Sequence, residues 1–179
     1  MNKSGRVSPE FSRQLAADSI GAQHQQRRIE ADRAERERLA RRFDLLALDR
    51  LEATLELSRH KDDLIRLKGH LVADAVQSCV ITLAPVPAHV EADFETSFSP
   101  SAVESLELDF DPLGEDPPEP ITDGEIDLGE VVAQQLAIAL DPYPKAPGAS
   151  LEAPGMVRGA GSAVPRSPFA GLARLKKKP

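Results

Sequence analysis

Chemistry in this chain would have to come from four histidines, one cysteine and a few clustered carboxylates. His24, His60, His70 and His89 are scattered over stretches that read as loops and strand faces, without the spacing of metal ligands, so each reads as a surface histidine. Cys79 is the single cysteine, which excludes an intramolecular disulfide and fits a reducing compartment. It has no nearby histidine or clear cationic neighbour in sequence to lower its pKa, so it reads as a structural thiol rather than a nucleophile. Asp109-Phe110-Asp111-Pro112-Leu113-Gly114 imitates the start of a calcium loop. It fails at Leu113, where an oxygen ligand is wanted, and at Pro120, where the bidentate glutamate should stand. No zincin, Walker, Rossmann or nucleophile-elbow pattern occurs, and Gly159-Ala160-Gly161-Ser162 is no phosphate loop. The expectation is a protein that is not an enzyme, with no catalytic residue, cofactor, metal or small-molecule substrate.

What the sequence does offer is separated charge. The net charge is -7, yet no Lys or Arg occurs between Lys68 and Lys145, an interval holding sixteen acids from Asp74 to Asp141. Such a middle repels nucleic acid and attracts basic partners. Asp109, Asp111, Asp116 and Glu119 are its candidate partner contacts. Against it stand Arg33, Arg36, Arg38, Arg41 and Arg42 on a predicted helix, and Lys176, Lys177 and Lys178 at the end of the sequence. The ordinary reading of the arginines is a solvated helix face laced by Glu35 and Glu37, with Glu37 and Arg41 ordered for an i,i+4 pair. The sharper reading is RNA-phosphate contact by these arginines and lysines, which lacks interleaved aromatics for base stacking.

The elements that must position these groups follow from periodicity. Asp32 and Glu35 form a cap-and-box signal for a helix to about Phe43, with Leu39 and Phe43 facing the core. Gln25 to Ala31 suggests a short edge strand. Leu51, Ala53, Leu55 and Leu57 alternate with polar residues, and after a polar turn at 59–63 Leu64 to Val76 continues extended, so the two read as an antiparallel hairpin with Gly69 a possible bulge. His89 to Phe98 alternates again, with Val90, Ala92, Phe94 and Phe98 inward. Asp127 caps a second helix, with Glu130 placed to reach back to the cap amide, and Pro142 and Pro144 end it. Apolar residues occupy most of its circumference, so it reads as a buried core helix.

The expected fold is α+β: a mainly antiparallel sheet of about five or six strands packed against two helices, with strand order and barrel closure left open. The expected organisation is a frayed terminus at 1–8, one domain at 9–147 with a mobile acidic loop at 99–120, a linker at 148–166 and a helical tail at 167–179. In that tail Phe169, Leu172 and Leu175 form one apolar stripe, a further candidate contact with a protein partner. No apolar run of signal-peptide or membrane-spanning type is present, so a soluble cytoplasmic protein is expected.

Four stretches together resemble a known family. These are Cys79-Val80-Ile81-Thr82-Leu83-Ala84-Pro85-Val86, Gly124-Glu125-Ile126-Asp127-Leu128-Gly129-Glu130-Val131-Val132, Ala139-Leu140-Asp141-Pro142-Tyr143-Pro144 and Pro168-Phe169-Ala170-Gly171-Leu172-Ala173-Arg174-Leu175-Lys176. Their order and spacing resemble the YceD family, the bacterial and plastid large ribosomal RNA subunit accumulation proteins, and the N-terminal part resembles alphaproteobacterial members most. The resemblance covers roughly Pro9 to Pro147 plus the tail. It implies a non-enzymatic role in the synthesis, processing or stability of large-subunit ribosomal RNA, with no molecular mechanism attached; the charge map favours contact with a basic ribosomal protein or pre-ribosomal particle over direct contact with ribosomal RNA. Many relatives carry a Cys-x-x-Cys pair where Cys79 is followed by Thr82, so a metal or redox role there is not implied for this chain.

Overall fold

The alternation that starts at Leu51 runs further in both directions than the sequence suggests. In the structure, a computed structural model that describes residues 9–100 and 117–150, it belongs to a strand of thirteen residues. The elements in order are β1 (Gln14–Ala16), β2 (Gln25–Glu30), α1 (Arg33–Arg42), β3 (Ala47–Arg59), β4 (Ile65–Ser78), β5 (Pro85–Ser99), β6 (Glu119–Pro120), β7 (Glu125–Asp127) and α2 (Leu128–Ala139). Strands β2 to β5 form an antiparallel meander, and β6 joins β5 in parallel at the far edge. β1 and β7 form a separate antiparallel ribbon. Among the described residues the architecture is α+β with two helices, and the five-stranded sheet is open rather than closed into a barrel.

One face of the sheet carries the core. Leu51, Ala53, Leu55 and Leu57 of β3 meet Ile65, Leu67, Leu71, Ala73 and Ala75 of β4 and Val90 and Phe98 of β5, all buried. α1 contributes Leu39, and α2 contributes Leu128, Val131, Val132, Ala133 and Leu136. The bulge falls at Leu48/Arg50 and not at Gly69, whose pairing with Leu55 and Phe94 is regular. The extra residue in β3 shifts the side-chain parity, which puts both Leu48 and Leu51 in the core. Gly69 is needed for another reason: a Cβ there would stand 2.2 Å from Cζ of the Phe94 ring.

Both helices begin as the sequence predicts, with one difference. At α1 the capping box is complete: Glu35 N–H donates to Asp32 and Asp32 N–H donates to Glu35, each 2.8 Å. At α2 Asp127 accepts from Gly129 and Glu130 N–H, but the Glu130 carboxylate does not return to the cap. It takes two bonds from the Arg42 guanidinium, at 2.7 and 2.8 Å, because a bidentate charged pair outweighs one neutral amide. α2 is also not buried all round, since Gln134, Ala137 and Ile138 are exposed. Its other face fills the core while these three face water.

The stretch Glu10 to Arg13 anchors the starts of both helices. Phe11 is fully buried, and Arg13 N–H and Ser12 Oγ both donate to the Asp127 carboxylate. The Arg13 guanidinium grips Glu35 with two bonds of 2.7 and 2.9 Å and also donates to the Ser12 and Glu30 carbonyls. The hydrogen bonds from Arg13 hold the Glu35 carboxyl below the usual carboxylate range. One arginine thus ties the N-terminal segment to the start of α1.

Candidate functional site

Two of the stretches that carry the family resemblance meet at one end of the molecule. The β4–β5 turn closes through Cys79 N–H to the Ala84 carbonyl and Leu83 N–H to the Cys79 carbonyl, with Leu83 at φ 60°. Beyond α2, Val80 N–H donates to the Pro144 carbonyl, and Gln77 Nε2 to the Asp141 carbonyl. Leu46, in the connection between α1 and β3, donates its N–H to Val76. These contacts frame a groove of about 350 Å³ lined by Phe43, Leu45, Val80, Leu140, Pro142 and Pro144 with Asp44, Gln77 and Asp141 among them. Every large hydrophobic residue that is strongly exposed among the described residues belongs to segments bordering it: Leu46 (56%), Val80 (48%), Leu83 (76%), Ile138 (75%) and Tyr143 (72%).

Cys79 lies behind this surface, fully buried. Its Sγ accepts from Ala146 N–H at 3.3 Å and Ile81 N–H at 3.5 Å. The Ala146 amide foremost, then the Thr82 hydroxyl, pushes the thiol down to about 6. Backbone amides, rather than a cationic side chain, supply the positive field. Thr82, at the position where many relatives are read to have a second cysteine, acts here as a hydrogen-bonding neighbour of Cys79. The thiol stays sealed from solvent and serves the turn.

A second concavity, about 670 Å³, lies between the β1–β7 ribbon, β6 and α2. Glu119, Asp123, Glu125, Asp127 and Glu130 line it, and among the described residues no Lys or Arg does. Of the predicted partner contacts, Glu119 stands here, exposed on β6, accepting from Thr96 Oγ1. Asp109, Asp111, Asp116, Phe169, Leu172 and Leu175, with Lys176, Lys177 and Lys178, lie outside the described residues.

The arginines of α1 are largely engaged within the fold. Arg33 pairs with Glu37, so the expected Glu37–Arg41 pair is replaced by one a turn earlier. Arg36 donates to the Ala31 carbonyl, and Arg38 to the Glu10 carbonyl. Arg42 joins Glu130 and Glu10. The Arg41 side chain is exposed. The open face of the sheet collects groups that sequence spacing left apart: His70 lies 2.8 Å from Asp93, and His89 lies 2.6 Å from Asp74, each a cross-strand pair. Only strand register could have brought these together. Among the described residues no cluster of three or more His, Cys, Asp or Glu could hold a metal ion, and no helix is long and apolar enough to cross a membrane.

A family model described as "Large ribosomal RNA subunit accumulation protein YceD" matches residues 67–176, more than half of the chain. The match takes in β4 from Leu67, the Cys79 turn, β5 to β7 and α2, while residues 9–66 fall outside it. Nothing among curated proteins or solved structures matches the chain.

Proposed function

Since the chain belongs to the YceD family of large ribosomal RNA subunit accumulation proteins, we propose that it supports the synthesis, processing or stability of large-subunit ribosomal RNA without catalysing a reaction, by holding a basic ribosomal protein. The observation that carries this reading is the cleft in which Glu119, Asp123, Glu125, Asp127 and Glu130 converge without a cation among the described residues that line it. A surface of one sign focuses potential, draws an oppositely charged partner and repels RNA phosphates. Asp127 and Glu130 already serve the fold, so Glu119 and Glu125, with Asp109, Asp111 and Asp116 in the adjoining sequence, are the groups assigned to the partner.

The test is a cross-linked pull-down of the tagged protein from growing cells, with protein and RNA both identified. The wild type should recover a basic large-subunit ribosomal protein. A variant with Asp109→Asn, Asp111→Asn, Asp116→Asn and Glu119→Gln should lose it while keeping any RNA affinity. Recovery of RNA instead, falling steeply with salt and abolished by Arg33→Ala, Arg36→Ala and Arg41→Ala, would replace this reading with direct RNA binding through the α1 arginines and the terminal lysines. Recovery of mature ribosomes only, or of neither class, would count against both.

A further inference from the structure

The groove at the opposite end of α2 shares no lining residue with the acidic cleft, and its chemistry is different. Its walls are the side chains of Phe43, Leu45, Val80, Leu140 and two prolines, and the exposed Leu83, Ile138 and Tyr143 stand on the bordering segments. Solvated apolar side chains gathered in one place, with polar surface around them, mark a site of association. The polar side chains of this groove are Asp44, Gln77, Ser78 and Asp141. Asp44 and Asp141 are the charged residues among the described residues of its lining, and no described Lys or Arg contributes. The C-terminal end of α2 adds the negative pole of the helix and its last carbonyls, with no basic residue in the last turn to offset them.

Gln77 lines the groove as well. It is 8% exposed, its Nε2 is spent on the Asp141 carbonyl, and its Oε1 is the one buried side-chain polar atom without a hydrogen-bond partner among the described residues. Apolar walls, two carboxylates and a negative helix end together select an occupant that is hydrophobic and brings positive charge.

We propose that this groove docks a hydrophobic segment of a partner protein that also carries Lys or Arg, its apolar side chains covering Leu83, Ile138 and Tyr143 and a cation facing Asp44 and Asp141. The assignment does not depend on the acidic cleft binding anything.

The experiment uses the full chain and three fluorescein-labelled twelve-residue peptides: alternating Leu and Lys, alternating Leu and Glu, and alternating Ser and Lys. Anisotropy should show the Leu/Lys peptide bound, and the Leu/Glu and Ser/Lys peptides bound at least tenfold more weakly. The Ser/Lys peptide separates docking from attraction to the acidic interval. Leu83→Ser with Ile138→Ser, both exposed positions, should weaken the Leu/Lys peptide at least tenfold while circular dichroism stays unchanged. Asp44→Asn with Asp141→Asn should weaken it about threefold at low salt, each asparagine keeping the local backbone geometry of its aspartate. Equal binding of the Leu/Lys and Ser/Lys peptides, or binding that ignores the Leu83 and Ile138 changes, would overturn the proposal. Concentration-dependent dimerisation abolished by Leu83→Ser would overturn it too, by assigning the surface to a second copy. None of these readouts involves a ribosomal protein or RNA, so they stand apart from the pull-down.

Discussion

Replacing Gly129 by alanine sets two physical effects against each other, and the structure decides between them. On helix propensity alone the change should stabilise, since alanine in a helix is favoured over glycine by up to about 1 kcal/mol. A Cβ at Gly129, however, would stand 2.6 Å from the Phe11 carbonyl oxygen, 2.8 Å from its carbon and 3.0 Å from Ser12 Cα. All three are backbone atoms, so no rotamer change relieves the clash; the segment carrying Phe11 must move. That segment is pinned to the start of α2 by Arg13 N–H and Ser12 Oγ on Asp127, at 2.8 and 2.6 Å, and by Leu128 N–H on the Arg13 carbonyl at 3.0 Å. Overpacking costs about 1–3 kcal/mol, and straining one of these hydrogen bonds adds about 1 kcal/mol. Set against the propensity gain, the net expectation is a loss of about 1–3 kcal/mol. Urea unfolding followed by circular dichroism should show a lower midpoint at unchanged slope. Gly21→Ala is the control, because its Cβ would meet nothing within 4 Å and its effect should stay within about 0.5 kcal/mol. A Gly129→Ala protein as stable as the wild type, or more so, would refute the close approach of Phe11 and with it the account of why a glycine stands in this motif.

Three further outcomes follow from the same contacts. Gly69→Ala should cost about 1–3 kcal/mol in the wild type, where the Phe94 ring occupies the Cβ position, and little in a Phe94→Ala background; additive effects in the cycle would contradict the stacking. Arg42→Ala, which unlinks α1 from α2 and from Glu10, should cost about 1 kcal/mol in denaturant unfolding, and the loss should shrink as salt is raised. Cys79 has its folded pKa lowered to about 6 from 9.0, so its contribution is fully present above the unfolded value and lost as pH falls through the folded one. Unfolding midpoints should therefore rise between pH 6 and 9 more steeply in the wild type than in Cys79→Ala, and equal pH slopes would show that the amide bonds to sulfur do not act.

Much of this fold was legible because its signals are local. A period of two over Leu51 to Ser58 needs only neighbouring residues to announce a half-buried strand, and Asp32 with Glu35 announces a helix start within four positions. The parity change at Leu48/Arg50 was not legible, because a bulge depends on what lies across the ladder. For the same reason Gly69 drew attention as a break in β4, when its partner on β5 gives it its role. The second helix looked apolar all round, yet the face with Ile138 has no layer packed over it.

By itself the sequence determined the strand and helix periods, the caps, the proline stop after α2 and the division of charge, including the cation-free run from Gly69 to Pro144. Tertiary structure alone decided which groups meet. It joined Arg13 to Glu35, Arg42 to Glu130 across 88 positions, and the Ala146 amide to the Cys79 sulfur across 67. It also collected Leu46, Val80, Leu83, Ile138 and Tyr143 at one end of the molecule. Periodicity reports which side of an element turns inward, because neighbours a few residues apart share that side. It carries no information on which distant element will lie opposite, since that is fixed by how the faces pack together once the chain has closed.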